Sequence, residues 1–125
     1  MSRRRKSKRK KLVPMPRLMR DAVSAFNGWI RRRDFACMTC GTTKKPTASH
    51  LITARRVATR FSEIGVVKMC RDCNMRHEFF PELMTSKWLK QYGLVAYHNL
   101  VAESLKPKKY KRHELENIIQ TYLNK

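Results

Sequence analysis

Four cysteines are the residues of this 125-residue chain whose spacing most clearly indicates chemistry. Cys37 and Cys40 form one CxxC pair, Cys70 and Cys73 form a second, and 29 residues separate the two pairs. A turn with two residues between thiolates can direct both sulfurs at one ion, and two such turns provide the four tetrahedral ligands of Zn²⁺. Gly41 suits the tight backbone that follows the first pair. The pattern therefore predicts a structural zinc site, which holds the fold together and does no chemistry itself.

Two other uses of the cysteines stay open on the sequence alone. Paired disulfides would suit an oxidising compartment, although the basic N-terminus leads into no apolar signal segment. Redox chemistry at a CxxC motif would account for one pair but not for two. The sequence favours structural zinc over both.

Three polar residues near the cysteines have the types that phosphodiester hydrolysis requires. His50 lies between the pairs, Asn74 directly follows Cys73, and His77 comes three residues later. If the second pair opens a helix, Asn74 and His77 share one helical face. A neutral imidazole can take a proton from water, while a bound divalent ion stabilises the leaving oxygen. The combination predicts a phosphodiesterase site, although each residue alone has an ordinary surface or helix-capping role as its alternative.

The pattern of apolar residues predicts a small α+β domain that would hold these groups in place. Two extended segments are predicted over 49–53 and 63–69, with Val66–Met69 as the best strand. Helices are predicted over 16–33, from about 72 to 81, from 85 or 86 to 92 with Gly93 as the stop, over 95–105, and over 115–123.

The charge of the chain points to a polyanionic partner. The sequence has 29 Lys and Arg against 9 Asp and Glu, a net charge of +20. Residues 1–11 carry eight positive charges and no negative one, so residues 1–14 are predicted to be a disordered basic tail before a single domain over 15–125. The domain remains basic, and each phosphate that a Lys or Arg neutralises releases a counterion. Nucleic acid is the expected partner; an anionic membrane surface and a merely solvated tail are weaker alternatives.

Some classes of protein are excluded. No apolar run approaches the roughly 20 residues of a membrane-spanning helix, and the 42% of hydrophobic residues suffices for a core. An integral membrane protein, a wholly disordered chain and a protein with a mainly cationic partner are not expected.

Four stretches carry a family resemblance: Cys37-Met38-Thr39-Cys40-Gly41, Ala48-Ser49-His50, Thr59-Arg60-Phe61 and Cys70-Arg71-Asp72-Cys73-Asn74. Together they resemble the NinG/Rap recombination nucleases of lambdoid phages and, more distantly, the zinc-bearing HNH (His-Me finger) nucleases. The resemblance covers most of residues 18–124. It implies a zinc-stapled ββα-metal core (HNH, treble-clef-like) flanked by N-terminal and C-terminal helices. It also implies a phage-encoded endonuclease in the host cytoplasm.

The resemblance also implies roles and partners. The four cysteines match the zinc ligands, His50 the general base, and Asn74 a ligand of a catalytic Mg²⁺ or Mn²⁺. His77 falls where related nucleases have a metal-binding or phosphate-facing side chain. The expected substrate is branched DNA (a Holliday junction or a displaced strand), or the enzyme is a nickase that cuts one strand of a duplex. A homodimer is expected for symmetric cuts at a junction. The basic residues expected to contact phosphates are Arg3, Arg4, Arg5, Lys6, Arg55, Arg56, Arg60 and Arg76.

The chain departs from the family pattern at three places. The pattern has an acidic residue shortly before the histidine and a glycine directly before it, where this chain has Thr47 and Ser49. Either the affinity for the catalytic metal would be weak, or Asp72 or Glu78 would supply from the helix the carboxylate that a hard cation prefers. The pattern also has an asparagine that braces the hairpin loop, near residues 62–65 here. These departures leave open a zinc-dependent DNA-binding accessory protein without catalysis, and a zinc protein of RNA or the ribosome is a weaker alternative.

Overall fold

Four helices and one two-stranded antiparallel sheet make up the computed structural model, which describes residues 11–125. The predicted α+β class is confirmed. In chain order the elements are α1 (Met15–Arg33), β1 (Pro46–His50), a short 3₁₀ turn (Val57–Thr59), β2 (Val66–Cys70), α2 (Arg71–Phe79), α3 (Glu82–Ser104) and α4 (Arg112–Leu123). Most of the predicted tail, including Arg3, Arg4, Arg5 and Lys6, lies outside the described residues.

Helix α1 forms where the apolar spacing predicts a helix. Leu18, Ala22, Phe26 and Ile30 recur on one face and are all buried, which is the pattern of an amphipathic helix against a core. Leu18 and Ala22 pack against Leu115 of α4. This helix pair forms one wall of the domain.

The C-terminal end of α1 is joined to the sheet by an ion pair. The Arg33 guanidinium donates to both oxygens of the Asp34 carboxylate, at 2.7 and 3.0 Å. The same carboxylate accepts from the backbone N–H of Lys68 at 2.9 Å, and Arg33 also donates to the Val66 carbonyl at 3.0 Å. These bonds fix where β2 lies relative to α1.

Strand β2 is buried along its whole length because both of its faces are covered. Val66 packs with Phe26 and Ile30 of α1, whereas Val67 and Met69 pack on the opposite side with residues of α3. The successive side chains of a strand alternate between faces, so this valine-rich run fits a strand between two layers. The prediction for Val66–Met69 is confirmed.

Strand β1 begins earlier than predicted. It spans Pro46–His50 and pairs antiparallel with β2, with Pro46 opposite Cys70 and His50 opposite Val66. The prediction of extended structure over 49–53 is therefore wrong for residues 51–53, where the chain bends away. A proline is compatible with the first position of an edge strand, because its missing N–H is not needed there.

Helix α3 contains the break that Gly93 predicts. Gly93 has φ +87°, a left-handed conformation that interrupts the helix and joins its two halves. Trp88 in the first half is fully buried and donates from its indole N–H to the Ile64 carbonyl at 2.7 Å. Within residues 11–125 no helix combines the length and the apolar character needed to cross a bilayer.

Candidate functional site

The two CxxC pairs meet in space. All four sulfur atoms lie within 4.8 Å of one another, and the sulfurs of Cys40 and Cys70 are 3.7 Å apart. A tetrahedral zinc site with Zn–S bonds of about 2.3 Å has sulfurs separated by roughly 3.8 Å, whereas a disulfide requires about 2.05 Å. All four cysteines are free thiols. Their arrangement fits a metal such as zinc and does not fit disulfides.

The local backbone aims each pair of sulfurs at the same point. The N–H of Cys40 points at the sulfur of Cys37 (3.5 Å), and the N–H of Cys73 points at that of Cys70 (3.4 Å). Gly41 has φ +77°, which lets the chain reverse after the first pair. The second pair lies at the start of α2, so the cluster sets the position of that helix.

The electrostatics of the cluster favour a bound cation. Burial raises the pKa of Cys37, but hydrogen bonds from the backbone at Cys40, Cys70 and Thr39 outweigh this effect and lower the pKa to about 7. Burial, followed by the neighbouring sulfurs, raises the pKa of Cys73 well above its ordinary value. Four thiolates cannot share this space without an opposing charge. A divalent ion would supply that charge.

A cleft of about 390 Å³ lies beside the cysteine cluster and contains all three predicted catalytic residues. It is lined by Ala48, His50, Thr53, Ala54, Asn74, His77, Glu78 and Pro81. His50 is the last residue of β1, whereas Asn74, His77 and Glu78 project from α2. The cleft and the cluster share α2, since Cys73 and Asn74 are adjacent. The catalytic roles of His50, Asn74 and His77 stay predictions.

The hydrogen bond of His50 determines which ring nitrogen can act as a base. His50 Nε2 lies 3.0 Å from the Arg60 carbonyl oxygen. Because a carbonyl can only accept, Nε2 carries the proton and Nδ1 keeps its lone pair. Burial lowers the pKa of His50 below its ordinary value of 6.5, and the bond to the Arg60 carbonyl offsets this only in part. The imidazole is therefore neutral at pH 7.

Ser49 holds Asn74 in place, a contact that the sequence did not predict. The Ser49 hydroxyl donates to Asn74 Oδ1 at 2.7 Å, and the serine is 1% exposed. A hydroxyl can donate or accept, so it can pair with either orientation of the amide. The serine that replaces the family's glycine thus positions the predicted metal ligand.

His77 and Glu78 line the cleft, whereas Asp72 does not. Nε2 of His77 lies 3.1 Å from the Leu51 carbonyl oxygen, and Nδ1 is buried without a hydrogen-bond partner. Of the two carboxylates that could replace the missing acid, Glu78 lines the cleft and Asp72 does not. Thr47, at the position of the missing acid, donates its hydroxyl hydrogen to the Met69 carbonyl at 2.8 Å.

Ser62 braces the loop after β1, as the family's asparagine is expected to do. Its hydroxyl accepts from the N–H of Gly65 at 3.0 Å, and the Gly65 carbonyl accepts from the N–H of Leu51 at 2.9 Å. A Cβ at Gly65 would lie 2.9 Å from the Ser62 oxygen, so a larger residue there would displace the serine hydroxyl. The brace thereby supports the residue that follows His50.

None of the four described arginines predicted to contact phosphates lines the cleft itself. Arg60 donates twice to the Ala54 carbonyl, at 3.1 and 2.9 Å, and so holds the loop whose carbonyl orients His50. Arg76 is exposed on α2 and borders a small hollow beside His77. Arg55 and Arg56 are exposed beside a separate groove.

The fold and the cysteine cluster define a small α+β protein with a candidate four-thiol metal site. Residues 1–125 match the family model described as NinG, bacteriophage lambda NinG protein. The chain belongs to this family, and membership implies a protein related to phage recombination. Searches among curated proteins and among solved structures gave no significant match.

Proposed function

We propose that the chain is a metal-dependent DNA endonuclease of the HNH type that acts in phage recombination. The observation that carries the proposal is that His50 and Asn74, on different elements, line one cleft next to the cysteine cluster. The order of a two-stranded hairpin followed directly by α2 is the order that a ββα-metal core requires. The positive charge of the chain supports DNA as the substrate.

In the proposed reaction the chain's own residues handle the proton and the position of the strand. Nδ1 of His50 takes a proton from a water molecule, whose oxygen then attacks phosphorus. The Arg60 carbonyl fixes the imidazole in the tautomer that this step needs. Ser49 holds the side chain of Asn74, which projects from α2.

The donors in the cleft fit a hard divalent cation. Asn74 and Glu78 offer oxygen atoms, and His77 lies one helical turn from Asn74. Oxygen donors suit Mg²⁺ and Mn²⁺. When bound there, such an ion would stabilise negative charge on the departing 3′ oxygen.

A cleavage assay tests this proposal. Zinc-loaded protein is incubated with a four-way junction, a flapped duplex and a linear duplex of the same sequence, each with Mg²⁺, with Mn²⁺ and without either ion. We expect cleavage that needs the added ion and is faster on the branched substrates. Cleavage without added metal would contradict the proposal.

One observation favours a second candidate function, a DNA-binding accessory protein of recombination. Strand β1 carries no carboxylate, and the hydroxyl at its acid position is engaged by Met69. Tight binding of the junction with no product under either ion would support this function and would contradict the nuclease.

The Ser49 contact gives a prediction about metal use. Ser49→Ala is expected to lower the cleavage rate by roughly 10–100-fold, the usual effect of removing a group that orients a metal ligand. The concentration of Mg²⁺ or Mn²⁺ that gives half of the maximal rate should rise. The matched control is Thr47→Ala, which also removes a hydroxyl from β1, but one that bonds to the Met69 carbonyl and not to Asn74. Equal behaviour of the two variants would show that Ser49 does not position Asn74.

A further inference from the structure

The loop between α3 and α4 carries a dense group of positive charges that the proposed reaction does not use. Residues 106–112 include five Lys or Arg and no acidic residue. The side chains of Lys106, Lys108, Lys109 and Lys111 are exposed. A run of this kind in a free tail would be a solvated segment, so its function depends on whether the fold holds it in place.

Tyr110 anchors this loop to Val57, which lies in the chain shortly after the cleft residues Thr53 and Ala54. Its hydroxyl donates to the Val57 carbonyl at 2.9 Å, and its ring packs edge-on against Phe61 with centroids 5.3 Å apart. Lys108 lies over the Tyr110 ring at 4.9 Å. The loop is therefore held in one position, and its cations are presented from a fixed backbone.

The fastening produces a groove of about 280 Å³, here called the basic groove. One wall is Arg55, Arg56 and Val57, and the other is the segment 104–108. Lys106 pairs with Glu103 at 2.9 Å and Lys108 pairs with Glu114 at 2.6 Å. Within residues 11–125 the guanidinium groups of Arg55 and Arg56 make no ion pair and no hydrogen bond. Four cations line the groove and no acidic side chain does, and the two arginines are the ones whose charge is not paired with a carboxylate.

Residues that line the cleft and residues that line the basic groove are adjacent in the sequence. Thr53 and Ala54 line the cleft, and Arg55 and Arg56, the next two residues, line the groove. Residues 53–56 form a turn in which the N–H of Arg56 donates to the Thr53 carbonyl at 3.0 Å. The Cα atoms of these two residues therefore lie within about 7 Å, or about two steps of 3.4 Å along a duplex axis. A strand in the cleft therefore has its neighbouring phosphates within reach of the groove.

We propose that the basic groove is a second phosphate-binding surface, in which the α3–α4 loop and Arg55–Arg56 hold the backbone of a duplex arm beside the cleft. That the groove lies beside the site of cleavage rests on the proposed function, whereas the binding of a duplex arm by the groove does not. Contacts of this kind add affinity and fix the register of the duplex without reading sequence.

The test compares three double variants of the full, zinc-loaded chain. Lys106→Gln with Lys109→Gln and Arg55→Gln with Arg56→Gln each remove two charges from the groove or its loop. The matched control, Lys87→Gln with Lys90→Gln, removes two exposed charges of α3 that line neither the cleft nor the groove. The probe is a 30-base-pair duplex, and its affinity is measured across a range of NaCl concentrations without Mg²⁺ or Mn²⁺, so that no cleavage is needed.

Each groove variant is expected to reduce the slope of log affinity against log salt by up to about 1.8, because each lost phosphate contact is worth about 0.9. The control should leave the slope unchanged. Retained zinc content and melting temperature show that a variant is folded, and the two groove variants act through different walls. If the groove variants keep the parent's slope, or if the control falls equally, the inference is wrong. Reduced slopes in a protein that cuts no DNA would uphold the groove and refute the nuclease.

Discussion

Removing zinc from the four-cysteine cluster is expected to unfold the part of the domain that contains the sheet and α2. Structural zinc contributes about 10–16 kcal/mol of apparent binding free energy, which is as large as the whole stability of a typical domain. Cys37, Cys70 and Cys73 belong to the same buried cluster as Trp88 and Met84, so a metal bound by them and the core would depend on each other. Circular dichroism during titration with a zinc chelator measures the loss, and added zinc should restore the signal.

A substitution at Cys40 distinguishes the role of a metal ligand from that of a residue that only packs. Cys40 is exposed, so Cys40→Ser should leave the melting temperature almost unchanged if the thiol bound nothing. If Cys40 is a zinc ligand, its replacement should lower the melting temperature by roughly 10 °C or more. Thr43→Ser, an equally conservative change at an exposed position of the same loop, is the control. A Cys40→Ser protein that melts like the control and ignores chelators would rule out the metal site.

The parts of the structure that the sequence predicted are those that depend on local patterns. The apolar spacing of α1 and α4, the valine-rich β2 and the break at Gly93 each follow from residues close together in the chain. The cysteine cluster was also predictable, because two-residue spacing permits only a few geometries around one ion. The start of β1 was not, since its bounds depend on pairing with a strand about twenty residues away.

Contacts between distant residues explain what the sequence could not predict in the cleft. Arg60 is indistinguishable in sequence from a phosphate-binding arginine, yet its guanidinium holds the Ala54 carbonyl. Ser49 was noted only as a departure from the family pattern, but its bond to Asn74 crosses 25 residues. The brace at Ser62 likewise replaces an asparagine by a different residue with the same kind of hydrogen bond. A position-by-position comparison identifies the departure, whereas the structure identifies the group that compensates for it.

His50→Ala is expected to lower the cleavage rate by roughly 10²–10⁴-fold, the usual contribution of a general base. His50 and His77 both line the cleft with Nε2 at a backbone carbonyl oxygen. The other ring nitrogen of His77 is buried, whereas burial lowers the pKa of His50 and favours its neutral form, so His50 is the better candidate for the base. Affinity for the junction should stay within a few-fold, because the neutral ring binds no phosphate. His98→Ala is the matched control, since His98 is exposed on α3 outside the cleft. Equal rates for the parent and His50→Ala would show that another group removes the proton.

The pH dependence of the rate tests the same assignment without relying on the size of the loss. The base must be neutral to accept a proton, so the rate should rise with pH through the pKa of His50 and then level off. Because burial lowers that pKa, the midpoint of the acid limb should lie below 6.5 in the parent and in His98→Ala. The residual rate of His50→Ala should lack this limb. A limb that persists with the same midpoint in His50→Ala belongs to another group and would remove His50 from the mechanism, while leaving the zinc site and the basic groove untouched.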